Sequence, residues 1–201
     1  AINDGSWDPQ VRIRDMDAMG VDQTLLYPTW FAEGFPMVKD PDVAYALARA
    51  YNDWIADFCK SNSDRFAGLA CIASHDPQVA SQQLRRAAEL GLKGAELSVA
   101  DAVKPIYHKD WDILWATAAE CKMPISFHTI GLPYRQLEDA TDDGYQWIDL
   151  GLLYTLFQLS GPEFLVSILL SGACDRYPDF RFVLGECGVG WLPYVLDRID
   201  K

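Results

Sequence analysis

The sequence lacks an apolar run long enough to cross a bilayer, and it has few basic residues. A membrane-spanning helix needs about 20 mainly apolar residues, and the nearest candidate, 148–170, is interrupted by Asp149 and Glu163, among others. The 17 Lys and Arg are outnumbered by 29 Asp and Glu, which gives a formal net charge of -12. Nucleic-acid binding instead requires a basic surface. We therefore expect no membrane and no nucleic-acid partner.

Paired cysteines and nucleotide-binding motifs are also missing. The five cysteines are scattered and form no CxxC pair, which is typical of reduced thiols in the cytoplasm and not of a disulfide framework. The first 22 residues are polar and helix-like, unlike a signal peptide. No GxGxxG follows the first predicted strand, and no Walker A loop is present. These absences predict a cytoplasmic protein that does not bind nucleotides on an open sheet.

What the sequence does contain is a regular alternation of strand and helix patterns. Continuous apolar runs predict five strands, at Val21–Tyr27, Phe66–Ala73, Leu92–Val99, Pro124–Thr129 and Phe180–Gly185. Helical periodicity lies between them, and Pro9, Asp40-Pro41 and Asp76-Pro77 mark helix starts. Residues Ile148–Cys174 are predicted to be helical, with a break near Gly161-Pro162. Such strands are covered on both faces, and β–α alternation predicts a parallel sheet with right-handed crossovers. We expect one α/β domain over residues 1–201.

Two architectures fit this alternation: a TIM barrel and an open doubly wound sheet. A complete barrel has eight strands and about 250 residues, whereas this sequence of 201 residues predicts five strands. Periodicity alone leaves both architectures open.

Two strand ends carry the best candidates for chemistry, because barrel active sites lie at the carboxyl ends of the strands. His128 ends the fourth strand, in PISFHTIG, and is either a metal ligand or a hydrogen-bonded structural histidine. Glu186 ends the fifth, in FVLGECGVGW, and is either a metal ligand or general base, or a cap of the next helix. We expect Glu186 to lie near His128, across adjacent strand ends, because sequential βα units pair side by side. We expect Cys187 to be a small packed residue, and His75 and His108 to be structural.

Three further residues are candidates for substrate binding. Trp30 and Phe31 follow the first strand and either line a substrate mouth or pack under a loop. Arg135 lies in a long segment, Leu132–Trp147, and either pairs with a substrate carboxylate or is a surface residue. Because this segment exceeds the usual length of a βα connection, we expect it to form a lid or substrate loop.

Three stretches of the sequence resemble the amidohydrolase-related family, which includes aminocarboxymuconate semialdehyde decarboxylase. They are GSWDPQVRIRDMDAMGVDQTLLYPT (Gly5–Thr29), HKDWDILWATAAECKMPISFHTIG (His108–Gly131) and CDRYPDFRFVLGECGVGWLPYVLDRID (Cys174–Asp200). The resemblance implies a (β/α)8 TIM barrel. It also implies that this chain is an incomplete barrel, with about strands 2 to 6 present.

The same resemblance implies a metal site. Members of the family usually hold one divalent metal, often zinc, through a first-strand His-x-His or related motif, a fifth-strand His and an eighth-strand Asp. His128 matches the fifth-strand ligand, and Glu186 falls where a sixth-strand His commonly activates the metal-bound water. Because the first-strand and last-strand ligands are not in this sequence, we expect the 201-residue chain by itself to bind metal weakly or not at all and to be inactive.

The resemblance leaves more than one activity open for the complete enzyme. The first hypothesis is a metal-dependent hydrolase that uses a metal-activated water on a small-molecule substrate. The alternative is a metal-dependent non-oxidative decarboxylase, a carbon–carbon lyase acting on an aromatic or unsaturated carboxylic acid. A third hypothesis is a barrel that has lost its catalytic activity and serves as a binding or structural subunit. Its only support is that Glu186 stands where the family commonly has a histidine. The sequence leaves a homo-oligomer open.

Overall fold

Five parallel strands joined in chain order form the sheet. The structure is a computed structural model that describes residues 4–28, 38–99, 102–128, 148, 151–152 and 155–201. The strands are β1 (Thr24–Leu26), β2 (Phe66–Ile72), β3 (Gly94–Leu97), β4 (Ile125–His128) and β5 (Phe182–Gly185). Each pairs in parallel with the next. A doubly wound sheet reverses its strand order at a switch point, and these five strands do not, so the order favours barrel winding.

Helices connect the strands. Those within the described ranges are α1 (Pro9–Met19), α2 (Pro41–Lys60), α3 (Pro77–Glu89), α4 (Asp112–Cys121), α5 (Ser160–Leu170), α6 (Ala173–Arg176) and α7 (Leu192–Ile199). Short 3-10 turns lie at Asp4–Ser6, Lys109–Trp111 and Phe157–Leu159. Among these helices, none combines the length and apolar character that crossing a bilayer requires.

Three helices begin with the same Asp-Pro pair, which confirms their predicted starts. The carboxylates of Asp8, Asp40 and Asp76 each accept hydrogen bonds from the backbone N–H groups two and three residues later. The proline that follows each aspartate occupies the first helical position, where its missing N–H costs nothing. These caps fix the residues at which α1, α2 and α3 begin.

Two predicted boundaries differ from the structure. The strands are shorter than their apolar runs; the run Val21–Tyr27, for example, pairs only over Thr24–Leu26. The helix break expected at Gly161-Pro162 is instead the first turn of α5, which begins at Ser160. Proline is accommodated in a first helical turn because the N–H groups there have no intrahelical partner.

The outer face of the sheet packs against the helices through an aromatic cluster. Phe127 of β4 is fully buried and lies 5.4 Å, ring to ring, from Phe164 of α5. Trp115 of α4 is 6.2 Å from Phe127 and stacks on Phe180 at 5.0 Å. Burying each such ring contributes about 1.5–3 kcal/mol relative to leaving it exposed. This cluster therefore anchors β4 and β5, the two strands that carry the candidate site.

The other face of the sheet contains buried polar groups. Glu96 of β3 and Ser126 of β4 pair in register and are both 3% exposed. The pairing of β1 with β2 ends at Gly68. Beyond Gly68, the Asn52 side chain of α2, instead of β1, forms hydrogen bonds with the backbone of β2. Its amide donates to the Cys71 carbonyl and accepts from the Cys71 N–H, at 2.9 and 2.8 Å. A hydrogen-bonded polar layer therefore underlies the carboxyl edge of the sheet.

Candidate active site at the carboxyl ends of the strands

His128 is the last residue of β4, at the predicted position. Ile125 and Phe127 of the same strand are fully buried in the outer layer. Because successive side chains of a strand point to opposite faces, Ser126 and His128 lie on the other face. The His128 side chain is 22% exposed, so the imidazole is partly sheltered yet reachable by a ligand.

Glu186 lies beside His128, as the neighbouring strand order requires. His128 pairs in register with Gly185, the last residue of β5, and Glu186 follows directly. His128 Nε2 and Glu186 Oε2 are 3.7 Å apart, and the glutamate side chain is 62% exposed. The predicted proximity of the two side chains is confirmed, while their chemical roles stay predictions.

The backbone at Glu186 is held in an unfavourable conformation. Its φ is +54°, in the left-handed region, which costs a non-glycine residue about 1–2 kcal/mol. The alternative interpretation, that Glu186 caps the next helix, is not met: α7 begins after Trp191 without any side-chain capping bond. Strain of this kind concentrates at functional sites, and here it carries a carboxylate to the edge of β5 beside an imidazole.

Gly185 gives the imidazole its space. A Cβ added at Gly185 would lie 3.0 Å from His128 Cδ2, which is tighter than ordinary van der Waals contact. Because the two residues are opposite each other in register, a side chain at position 185 would compete directly with the histidine ring.

Tyr27 is a site residue that the sequence did not reveal. It follows β1, yet its ring centroid is 5.6 Å from that of His128, and its Oη is 3.1 Å from Ser126 Oγ. Tyr27 lies at the end of an apolar run, so the sequence predicts only that it belongs to the first strand. Only the i, i+2 spacing of Ser126 and His128 could have placed Ser126 on the face of the site.

Cys187 is a packed residue, as expected. It is 2% exposed, and a Cβ at Gly161 of α5 would lie 2.5 Å from the Cys187 Cβ. Its thiol lies 3.2 Å from the Gly185 carbonyl oxygen. Burial, with a smaller contribution from the Glu186 carboxylate, raises the pKa of Cys187 to about 11. The thiol therefore stays protonated near neutral pH and is a poor nucleophile.

The other two histidines have structural surroundings. His75 Nε2 lies 2.7 Å from the Val38 carbonyl oxygen, to which it must donate. His108 is 45% exposed, and its Nδ1 accepts from the Asp110 N–H at the start of a short 3-10 turn. These contacts agree with the expected structural roles.

The predicted substrate-binding residues Trp30, Phe31 and Arg135 lie outside the described residues. The same holds for the predicted lid, Leu132–Trp147. Their roles stay predictions.

The described part of the chain offers an incomplete metal site. Within it, no group of three or more His, Cys, Asp or Glu residues is placed to hold a metal ion. The 3.7 Å between His128 Nε2 and Glu186 Oε2 is close to the separation of about 3.4 Å that two ligands of a tetrahedral ion with bonds of about 2.1 Å would have. Imidazole and carboxylate are both common ligands of divalent metals. The donor types therefore fit a divalent ion, with two donors accounted for.

Comparison with known proteins places the chain in a family. The sequence model of the amidohydrolase family matches residues 3–201. The chain belongs to this amidohydrolase family. It is 30% identical over 196 residues to the gamma-resorcylate decarboxylase of Rhizobium radiobacter, covering 94% of this chain and 58% of the relative. It is 31% identical over 199 residues to that of a Polaromonas species, again covering 94% and 58%.

A solved structure shows the same architecture. A variant of 5-carboxyvanillate decarboxylase from Novosphingobium aromaticivorans superposes with a TM-score of 0.75 at 30% identity, covering 94% of this chain and 52% of the other. That protein holds manganese and 3-methoxy-4-hydroxy-5-nitrobenzoic acid. The chain thus spans a little over half the length of each of these three relatives. The likeness resolves the two architectures in favour of the TIM barrel of this amidohydrolase family.

Proposed function

We propose that the protein is a metal-dependent, non-oxidative decarboxylase of an aromatic carboxylic acid. Two amidohydrolase relatives at 30% and 31% identity are gamma-resorcylate decarboxylases, and this observation carries the proposal. The 5-carboxyvanillate decarboxylase, at 30% identity, points the same way. Together these likenesses rank the decarboxylase, which was the alternative hypothesis, above the hydrolase. The ligand in that neighbour, a hydroxylated benzoic acid, favours a ring-hydroxylated benzoate as the substrate class.

The reaction needs a proton donor and a group that stabilises the negative charge developing on the substrate. The bond between the ring and its carboxylate breaks, CO2 leaves, and the electron pair left on the ring carbon takes up a proton. Glu186 is the described group suited to this transfer, because it is exposed to water on one side and faces His128 on the other. We propose that it takes a proton from solvent and delivers it to the ring carbon.

His128 is proposed to bind a divalent metal ion through Nε2. Bound beside this site, the ion would polarise the carboxylate and phenolic oxygens of the substrate. Manganese in the neighbouring structure supports a divalent ion and leaves zinc and manganese both to be tried. Further ligands would come from residues other than those described. We also propose that Arg135 pairs with the substrate carboxylate, that Trp30 and Phe31 contact the ring, and that residues 1–201 belong to one cytoplasmic domain.

Product analysis tests the proposal directly. The complete enzyme is purified, supplied with Mn2+ or Zn2+ and incubated with a panel of hydroxybenzoic acids, and CO2 release and loss of the aromatic acid are measured. We expect stoichiometric CO2 and phenol from at least one acid, and no product from the matched His128→Ala variant. Metal-loaded protein that releases no CO2 from any member of the panel would contradict the proposal.

Hydrolysis is the second candidate, because one observation favours it. Glu186 is a carboxylate 3.7 Å from the proposed metal ligand, a position suited to a general base acting on bound water. Aryl amides, esters and lactones in the same assay distinguish the two: turnover of these compounds without CO2 release would select the hydrolase.

A further inference from the structure

Tyr27 crosses the concave side of the sheet. Three strand-to-strand steps separate β1 from β4, which in a flat sheet would amount to about 14 Å at about 4.8 Å per step. Yet the Tyr27 hydroxyl is 3.1 Å from Ser126 Oγ of β4. The tyrosine side chain covers part of this span and the curl of the sheet closes the rest, so the tyrosine lies on the inside of the curve.

The far end of the Tyr27 side chain is anchored next to His128. Ser126 is 3% exposed, so its hydrogen bond to the tyrosine is sheltered from water. Ser126 and His128 are two residues apart on one strand and lie on the same face. The Tyr27 ring, held at its hydroxyl, lies 5.6 Å from the imidazole with the planes tilted by 55°.

The imidazole is consequently enclosed from two directions. Gly185 approaches Cδ2 so closely that a Cβ would lie 3.0 Å away, and the Tyr27 ring lies against the histidine as a second neighbour. With these neighbours in place, Nε2 is directed towards Glu186, 3.7 Å away. Ligand side chains commonly depend on such outer partners for their orientation.

We propose that Tyr27 is a positioning residue, whose ring, anchored through Ser126, holds the His128 imidazole with Nε2 facing Glu186. The role rests on the proposed use of His128 as a metal ligand. The orientation itself is a property of the metal-free protein, so it can be measured without any assumption about the reaction.

Histidine labelling of the metal-free protein provides the first readout. Diethylpyrocarbonate modification is followed at each histidine by mass spectrometry in wild type, Tyr27→Leu, Tyr27→Phe, Ser126→Ala and the double variant Tyr27→Phe/Ser126→Ala. Tyr27→Leu should raise the rate at His128 severalfold, with the rates at His75 and His108 unchanged. Tyr27→Phe and Ser126→Ala should each give a smaller rise, and the double variant no more than either, because both remove the same hydrogen bond.

Tyr45→Leu is the matched control. Tyr45 packs edge-on against His75 at 6.1 Å, so this variant removes an equivalent tyrosine–histidine contact elsewhere and should leave His128 unaffected. The second readout is Co2+ or Mn2+ affinity, which Tyr27→Leu should weaken by about 10–100-fold, as loss of an outer partner usually does. Unchanged labelling of His128 in Tyr27→Leu, or an equal rise at all three histidines, would overturn the proposal. Failure of the decarboxylase assay would leave these labelling results standing.

Discussion

The two faces of β4 contrast sharply in what surrounds them. On the outer face, Ile125 and Phe127 are fully buried among helices and aromatic rings. On the inner face, Ser126 shares a sheltered hydrogen bond with Tyr27, and His128 is partly exposed beside a strained glutamate. Four consecutive residues thus alternate between holding the strand and presenting chemistry.

This contrast shows how the fold accommodates site residues that are unfavourable for stability. A left-handed glutamate, a glycine in a strand and a buried hydroxyl pair are all unfavourable or neutral for folding. The aromatic cluster behind the same two strands supplies the free energy that offsets them. We therefore expect substitutions on the outer face to change stability, and those on the inner face to change metal binding and activity.

The largest effect is expected on the outer face. Phe127→Ala should lower the free energy of unfolding by about 3–5 kcal/mol, because it removes a fully buried ring and leaves a cavity between Trp115 and Phe164. Urea denaturation followed by tryptophan fluorescence measures the loss. Phe127→Leu serves as the control and should lose much less. A change below 1 kcal/mol in the alanine variant would break the contrast, since it would mean that the cluster does not hold β4.

His128→Ala should show the opposite profile. We expect metal affinity and turnover to fall by at least about 100-fold, since even outer partners of a ligand commonly cost 10–100-fold. The urea midpoint should change little, because the side chain is partly exposed and outside the aromatic cluster. Metal analysis and the CO2 assay, beside the denaturation curve, give both halves of the comparison. His108→Ala is the matched control and should alter neither quantity.

Gly185→Ala tests whether space for the imidazole matters. The added Cβ would lie 3.0 Å from His128 Cδ2, so the ring must move. We expect metal affinity to fall by about tenfold, at the low end of what loss of orientation costs, with a smaller change in stability. Gly151→Ala, at a position where a Cβ meets no described atom within 4 Å, controls for the substitution itself. Equal metal affinity in Gly185→Ala and wild type would show that the ring has room to adjust.

Of these variants, Glu186→Gly is expected to change stability least while still lowering turnover. Glycine adopts a φ of +54° without a steric penalty, so the variant should be as stable as wild type or more stable by about 1 kcal/mol. Turnover should nevertheless fall, because the carboxylate is gone. Glu186→Gln keeps the strain and removes only the charge, and should lose turnover without gaining stability. If Glu186→Gly kept full activity, the proposed catalytic role of this residue would be wrong.

Much of this arrangement was predictable from local sequence patterns. The Asp-Pro pairs predicted three helix starts, and the apolar runs predicted five parallel strands. His128 and Glu186 were predicted to meet because consecutive βα units pair side by side. These predictions succeeded since caps, strand runs and nearest-neighbour pairing depend on residues close in the chain. The resemblance to a family decided between barrel and open sheet, which periodicity had left open.

The remaining features depend on distance through space. Tyr27 belongs to the site only because the sheet curls enough to bring β1 within reach of β4, and curvature is the sum of small twists that no single residue encodes. The close approach of Gly185 to His128 likewise arises from the register between β4 and β5. The sequence by itself determined which residues end the strands and what chemistry they carry. The tertiary structure alone decided that Tyr27 joins them, because side chains 99 residues apart, such as those of Tyr27 and Ser126, are brought together by packing and not by the chain.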